Sequence, residues 1–167
     1  MLKSRLEEGF QGSRFHSFLS CLKGVSDADA RWKPSTYKGF PHMDGSILNL
    51  AYHTGGDKHV LMSIGFGDGS VTWPVVQSRF EELGGDLPAA QALSEEGHSI
   101  VLKALESAGE TGLDSVRPYY GGKTLTAYEI FTIVAEHDIY HAGQIWYVRN
   151  MLAGLRTSDQ CPVIGDQ

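Results

Sequence analysis

The sequence predicts an all-α fold, a four-helix bundle with long loops and one short extra helix. Four long segments repeat apolar residues every three or four positions, no stretch alternates convincingly as a half-buried strand does, and one long connection stands among shorter ones. The 167 residues suit a single domain over 1–155 with a polar tail over 156–167, and a hydrophobic content of 41% supports a core of ordinary size.

The first helix is expected over Leu2–Lys23, where Leu6, Phe10, Phe15, Phe18, Leu19 and Leu22 recur at helical spacing before Gly24. His16 takes a surface or partly buried position in it, and Cys21 acts as a small apolar filler. Val25 to Gly45 is a connecting loop with a capped turn at Ser26-Asp27-Ala28-Asp29. Trp32-Lys33-Pro34 and Phe40-Pro41 interrupt any long helix there, and Trp32 folds back as a lid on the core. The second main helix begins at Asp44 or Ser46, either able to cap, and reaches about Ile64. Gly55 and Gly56 inside it cost roughly 1 kcal/mol each relative to Ala. They imply a closely approaching helix, room for a ligand, or a helix kinked or ended early. Trp73-Pro74 opens a short helix to Leu83, with proline at the tolerated first position. The third main helix runs from Pro88 to Ala108, with His98 assigned to a solvent-facing position. Thr111 to Thr124 is a loop or short hairpin. Thr126 and Glu129 then form a capping box for the last helix, which Gly154 closes after on the order of 40 Å. The tail from Arg156 carries Cys161-Pro162.

Chemistry concentrates on two of these helices. Stepping in threes and fours along the last one gives Ile130, Val134, His137, His141, Ile145, Val148 and Leu152, so two histidines one turn apart face the core. The same step along the second gives Leu50, His53, Asp57, Val60 and Ile64. Three neutral imidazoles from two helices suit a divalent transition ion and leave one coordination position for water or substrate. Core histidines hydrogen-bonded to tyrosines such as Tyr52 or Tyr140 would give the same pattern. Asp57, one turn from His53, is the candidate general base or orienting carboxylate, because an inward carboxylate must find a partner or a role. Gln144 is assigned to helix packing in preference to a hydrogen bond near the site, and His59 to the surface. Serines are scattered and neither cysteine adjoins a histidine in sequence, so the attacking atom is expected to come from the metal or the substrate.

Composition excludes other classes. A net charge of −6, with 14 basic residues scattered among 20 acidic ones, argues against a nucleic-acid partner. The N-terminus becomes charged at once and no run is long enough to span a membrane, so no membrane association and a cytoplasmic location are expected. Cys21 and Cys161 stand far apart without a disulfide framework. The last helix has a second apolar face, Tyr128, Phe131, Ala135, Ile139, Ala142 and Trp146, for which a second subunit is the expected cover, hence a homodimer.

Across nearly its whole length the sequence resembles the DinB/YfiT-like superfamily of metal-dependent four-helix proteins. The residues that carry the resemblance are Trp32-Lys33-Pro34, Ser46-Ile47 leading to His53, and above all His137-Asp138-Ile139-Tyr140-His141-Ala142-Gly143-Gln144-Ile145. The resemblance implies a divalent metal, commonly zinc or nickel, on His53, His137 and His141. It also implies thiol-dependent transfer with low-molecular-weight thiols, isomerisation or amide hydrolysis. Thr54-Gly55-Gly56 departs from the family, which often has Leu after the first histidine, and bears on the shape of the site. The resulting expectation is a metal-dependent thiol transferase or related hydrolase acting on a small molecule. The alternatives are a non-catalytic metal-binding or stress-associated dimer, whose ion mainly joins the second and fourth helices, and a metal-free bundle.

Overall fold

The helix starts follow their caps in the computed structural model, which describes residues 1–12, 17–35 and 43–158. Helix α4, Ile47–Phe66, begins at Ser46, whose Oγ accepts from the Asn49 amide at 3.1 Å. Asp44 accepts in turn from the Ser46 amide at 2.9 Å and hydroxyl at 2.6 Å, so both candidate caps act together. Helix α6, Leu87–Ala108, is capped by Asp86, and α3, Asp27–Arg31, by Ser26. The short α5, Trp73–Glu82, carries its proline in the first turn. Thr126 and Glu129 form the reciprocal box that starts α7, Ala127–Ser158: Glu129 accepts from the Thr126 amide at 2.7 Å, and Thr126 Oγ1 accepts from the Glu129 amide at 3.2 Å. Before it, β1 (Val116–Pro118) and β2 (Thr124–Thr126) pair antiparallel as a short hairpin, with Val116 opposite Thr126.

Two boundaries differ from the expected ones. The first helix is divided into α1, Leu2–Glu7, a wide π-type turn over Glu8–Gly12, and α2, Phe18–Leu22. Gly9 and Gly12 are poor helix formers and both fall in the wide turn, while Ser17 is extended and restarts the chain as α2. At the other end α7 runs through Gly154 to Ser158, about 48 Å for its 32 residues. Gly154 does not take the positive φ that a glycine stop uses. Phe15, His16, Phe40, Pro41, Cys161 and Pro162 lie outside the described residues.

Helix α4 is central and packs on α3, α5, α6 and α7. The predicted stripe of α7 is inside: Ile130, Val134, Ile145, Val148 and Leu152 are all buried, and Trp32 packs against the core as a lid should. On the second face of α7, Phe131, Ala135 and Ala142 are buried within the same chain, Phe131 stacked on Phe66 of α4 at 4.8 Å and Ala135 against Gly9 of the wide turn, while Tyr128 and Ile139 stay 47% and 46% exposed. That face is therefore covered in part from within the chain. Among the described residues no helix is long and apolar enough to cross a membrane.

The glycines of α4 mark a close helix crossing, and the helix is neither kinked nor shortened by them. A Cβ on Gly55 would lie 2.5 Å from Ser94 Oγ and 2.9 Å from the Ser94 backbone nitrogen on α6. Two histidines also depart from expectation. His59 is half-buried and its Nε2 donates to the Leu93 carbonyl at 2.9 Å. His98 is 5% exposed, stacked on Phe10 at 4.0 Å, and neither ring nitrogen has a hydrogen-bond partner among the described residues. Burial, reinforced by the nearby Lys58, lowers its pKa to about 4. A polar side chain on the buried stripe of a helix is indistinguishable by spacing from one on its rim, which is why His98 read as exposed.

Two outcomes follow from this packing. Gly55→Ala is expected to destabilise the fold by about 1–3 kcal/mol through overpacking, despite its better helix propensity, and the denaturant midpoint measures it. His98 stays neutral in the folded state while the unfolded chain protonates it near pH 6.5, so stability falls as pH drops from 6.5 towards 4. The loss is on the order of 3 kcal/mol. His98→Leu should remove this component, so the stability of the variant relative to the parent must rise across that window.

Candidate metal centre

Helices α4 and α7 bring three imidazoles to one point. The His53 ring centroid lies 5.2 Å from that of His137 and 5.0 Å from that of His141, and the latter two are 4.4 Å apart. One ring nitrogen from each lies within 4.8 Å of the others, an arrangement able to hold a metal ion. The i, i+4 spacing on α7 sets the closest pair, with Nε2 of His137 2.9 Å from Nε2 of His141.

Burial lowers the pKa of both His137 and His141 to about 3, so both are neutral at pH 7. The Gln144 side chain fixes which nitrogen of His141 is protonated. Its Oε1 accepts from His141 Nδ1 at 2.7 Å, while its Nε2 donates to the Tyr140 hydroxyl at 3.1 Å. With the proton on Nδ1, the lone pair of His141 Nε2 points to His137. An ion held by both Nε2 atoms would require the His137 proton on Nδ1, the nitrogen that faces Asp57. Gln144 is thus a hydrogen-bonding residue of the site, correcting its assignment to packing. Three imidazole nitrogens with no carboxylate among them are a borderline-soft donor set, which fits zinc, nickel, cobalt or copper better than magnesium or calcium.

Asp57 arrives beside these rings. Its Oδ2 is 3.7 Å from Nδ1 of His137, and its Oδ1 accepts from the Tyr120 hydroxyl at 2.7 Å. Because His137 is neutral and the distance exceeds a hydrogen bond, the contact is dipolar and not an ion pair. Burial raises the pKa of Asp57, and the Tyr120 hydrogen bond opposes the rise. Burial and the carboxylate together hold Tyr120 as a phenol well above its ordinary range. Tyr120 lies in the turn between β1 and β2, a place where no periodicity signals it.

Two further contacts had no local signature. Trp73, at the start of α5, stacks on His53 with centroids 5.6 Å apart and planes 5° from parallel. Gly56 permits this approach, because a Cβ there would lie 2.8 Å from both the Trp73 ring and Val76. Lys58 and Asp138, the sequence neighbours of Asp57 and His137, form an ion pair at 2.6 Å with 1% and 0% exposure. Lys58 Nζ also stands 4.4 Å from the centre of the Phe10 ring. Desolvation raises the pKa of Asp138, and Lys58 works against it.

Of the two tyrosines weighed as partners of the core histidines, Tyr140 reaches His141 through Gln144. Tyr52 lies against Phe80 and Trp73, and Tyr140 meets the His141 ring edge-on with its hydroxyl accepting from Gln144.

Residues 11–145 match the DinB superfamily, a span holding α4, α5, α6, the hairpin and the histidine segment of α7. No curated protein and no solved structure matches the chain. A match over most of the chain, together with a helical architecture and three histidines meeting between α4 and α7, leads to one conclusion: the chain belongs to the DinB superfamily.

Proposed function

We propose that the protein binds one divalent transition ion, zinc or nickel, through His53, His137 and His141, and uses it in thiol-dependent transfer or related hydrolysis of a small molecule. The observation that carries this reading is the convergence of three ring nitrogens within 4.8 Å, two of them on imidazoles that burial keeps neutral. Bound there, such an ion supplies chemistry by lowering the pKa of a thiol or water, which provides a nucleophile at neutral pH.

The protein's own groups then have distinct duties. Gln144 holds the His141 tautomer that leaves Nε2 free. Asp57 faces Nδ1 of His137 and is held by Tyr120, which supports a positioning role exerted through His137. Trp73 covers one face of His53 and keeps water from that side. Cys21 supplies no nucleophile: it is fully buried, its Sγ donates to the Phe18 carbonyl, and burial pushes the thiol up to about 12. A second reading is a metal-binding dimer without turnover, its ion tying α4 to α7. The exposed Tyr128 and Ile139 on α7 support pairing with a second copy.

Protein purified without a His-tag is expected to carry about one equivalent of transition metal, and His137→Ala next to none. Equal and negligible metal in both would overturn the proposal. Metal-dependent turnover with a panel of low-molecular-weight thiols is the expected activity; full metal loading without turnover would select the non-catalytic reading. Gln144→Leu should weaken metal affinity about 10–100-fold in a competition titration, and an unchanged affinity would reduce Gln144 to packing.

A further inference from the structure

On the face of α4 turned away from His53 and Asp57, a groove of about 450 Å³ lies between the C-terminal halves of α4 and α6 and strand β1. None of the histidines of the metal centre lines it. Its floor is apolar, built from Met62 and Phe66 of α4 and Ile100 and Ala104 of α6. Ile100 is left 39% exposed in it, large for a branched aliphatic residue beside a core. The volume falls in the range of small-molecule sites.

The charge around this floor is one-sided. Lys103 comes from α6 and Arg117 from β1, and no Asp or Glu is among the described lining residues. Neither cation forms an ion pair with a described carboxylate, in a chain where acidic residues outnumber basic ones. Arg117 is also held in place: its Nε donates to Ser115 Oγ at 3.0 Å, and its guanidinium lies 5.4 Å from the centre of the Phe66 ring. A fixed guanidinium over the apolar floor, with an ammonium on the opposite helix, is complementary to one anionic group joined to an apolar body.

We propose that this groove binds a small aliphatic carboxylate, its chain on Met62, Phe66, Ile100 and Ala104 and its carboxylate between Lys103 and Arg117. The site is independent of the metal centre. Calorimetric titration of the full-length protein with decanoate, alongside decanol of the same apolar body, tests it, with amide chemical shifts locating the ligand. Decanoate should bind saturably and shift the Ile100 and Ala104 signals, while decanol binds at least tenfold more weakly. Lys103→Gln, at an exposed position, should cost about tenfold. Ala104→Trp should abolish binding with helical circular dichroism retained. His137→Ala should bind decanoate as the parent does, so failure of the metal reading and failure of this one are separable. No saturable binding, equal affinity for decanoate and decanol, indifference to Lys103→Gln, or shifts confined to another region would each overturn the proposal.

Discussion

Lys58 and Asp138 form an ion pair with almost no solvent contact, and the relative placement of α4 and α7 depends on it. Removing either partner would leave an uncompensated buried charge, typically a cost of 3–5 kcal/mol, whereas hydrophobic replacement of both is often tolerated. Its consequence is one of register more than of net stability. The ammonium meets the carboxylate at 2.6 Å between α4 and α7, and the residues flanking the pair are Asp57 and His137. The same register that satisfies the buried charges sets His53 against His137 and His141.

That register would be of little use if α4 could not be approached closely from its other sides. Gly55 admits Ser94 of α6, and Gly56 admits Trp73 and Val76 of α5. The departure from the family pattern after His53 is therefore a packing device. The helix gives up intrinsic propensity at two positions, and close contact with α6 and the stacking of Trp73 on His53 compensate. The shape of the three-histidine site on its α5 side is a result of Gly56, which admits Trp73.

The polar groups around the histidines divide the work between orientation and insulation. Gln144 and Asp57 each address the Nδ1 side of a histidine whose Nε2 points inward, one through a hydrogen bond and one through a dipolar contact. Tyr120, delivered by the hairpin, holds the far oxygen of Asp57 and links the turn between β1 and β2 to α4. The hairpin thus contributes to both faces of α4, through Tyr120 at the metal centre and through Arg117 at the groove beside Phe66.

The sequence by itself determined the helical class, the caps at Ser46 and Thr126, the proline start of α5, and the inward stripes that carry His53, Asp57, His137 and His141. These are local signals: a cap reaches three residues, and a stripe repeats within one or two turns. Tertiary structure alone decided the partners. Lys58 and Asp138 are far apart in the chain, Tyr120 sits in a turn without periodicity, and His98 and Gln144 could each face a core or solvent on spacing alone. The break after Glu7 and the cover that the rest of the chain lays over Phe131, Ala135 and Ala142 were likewise set by packing. Whether a second apolar face meets the same chain or another copy is a question of which surface is nearer in space, and periodicity along one helix carries no information about that.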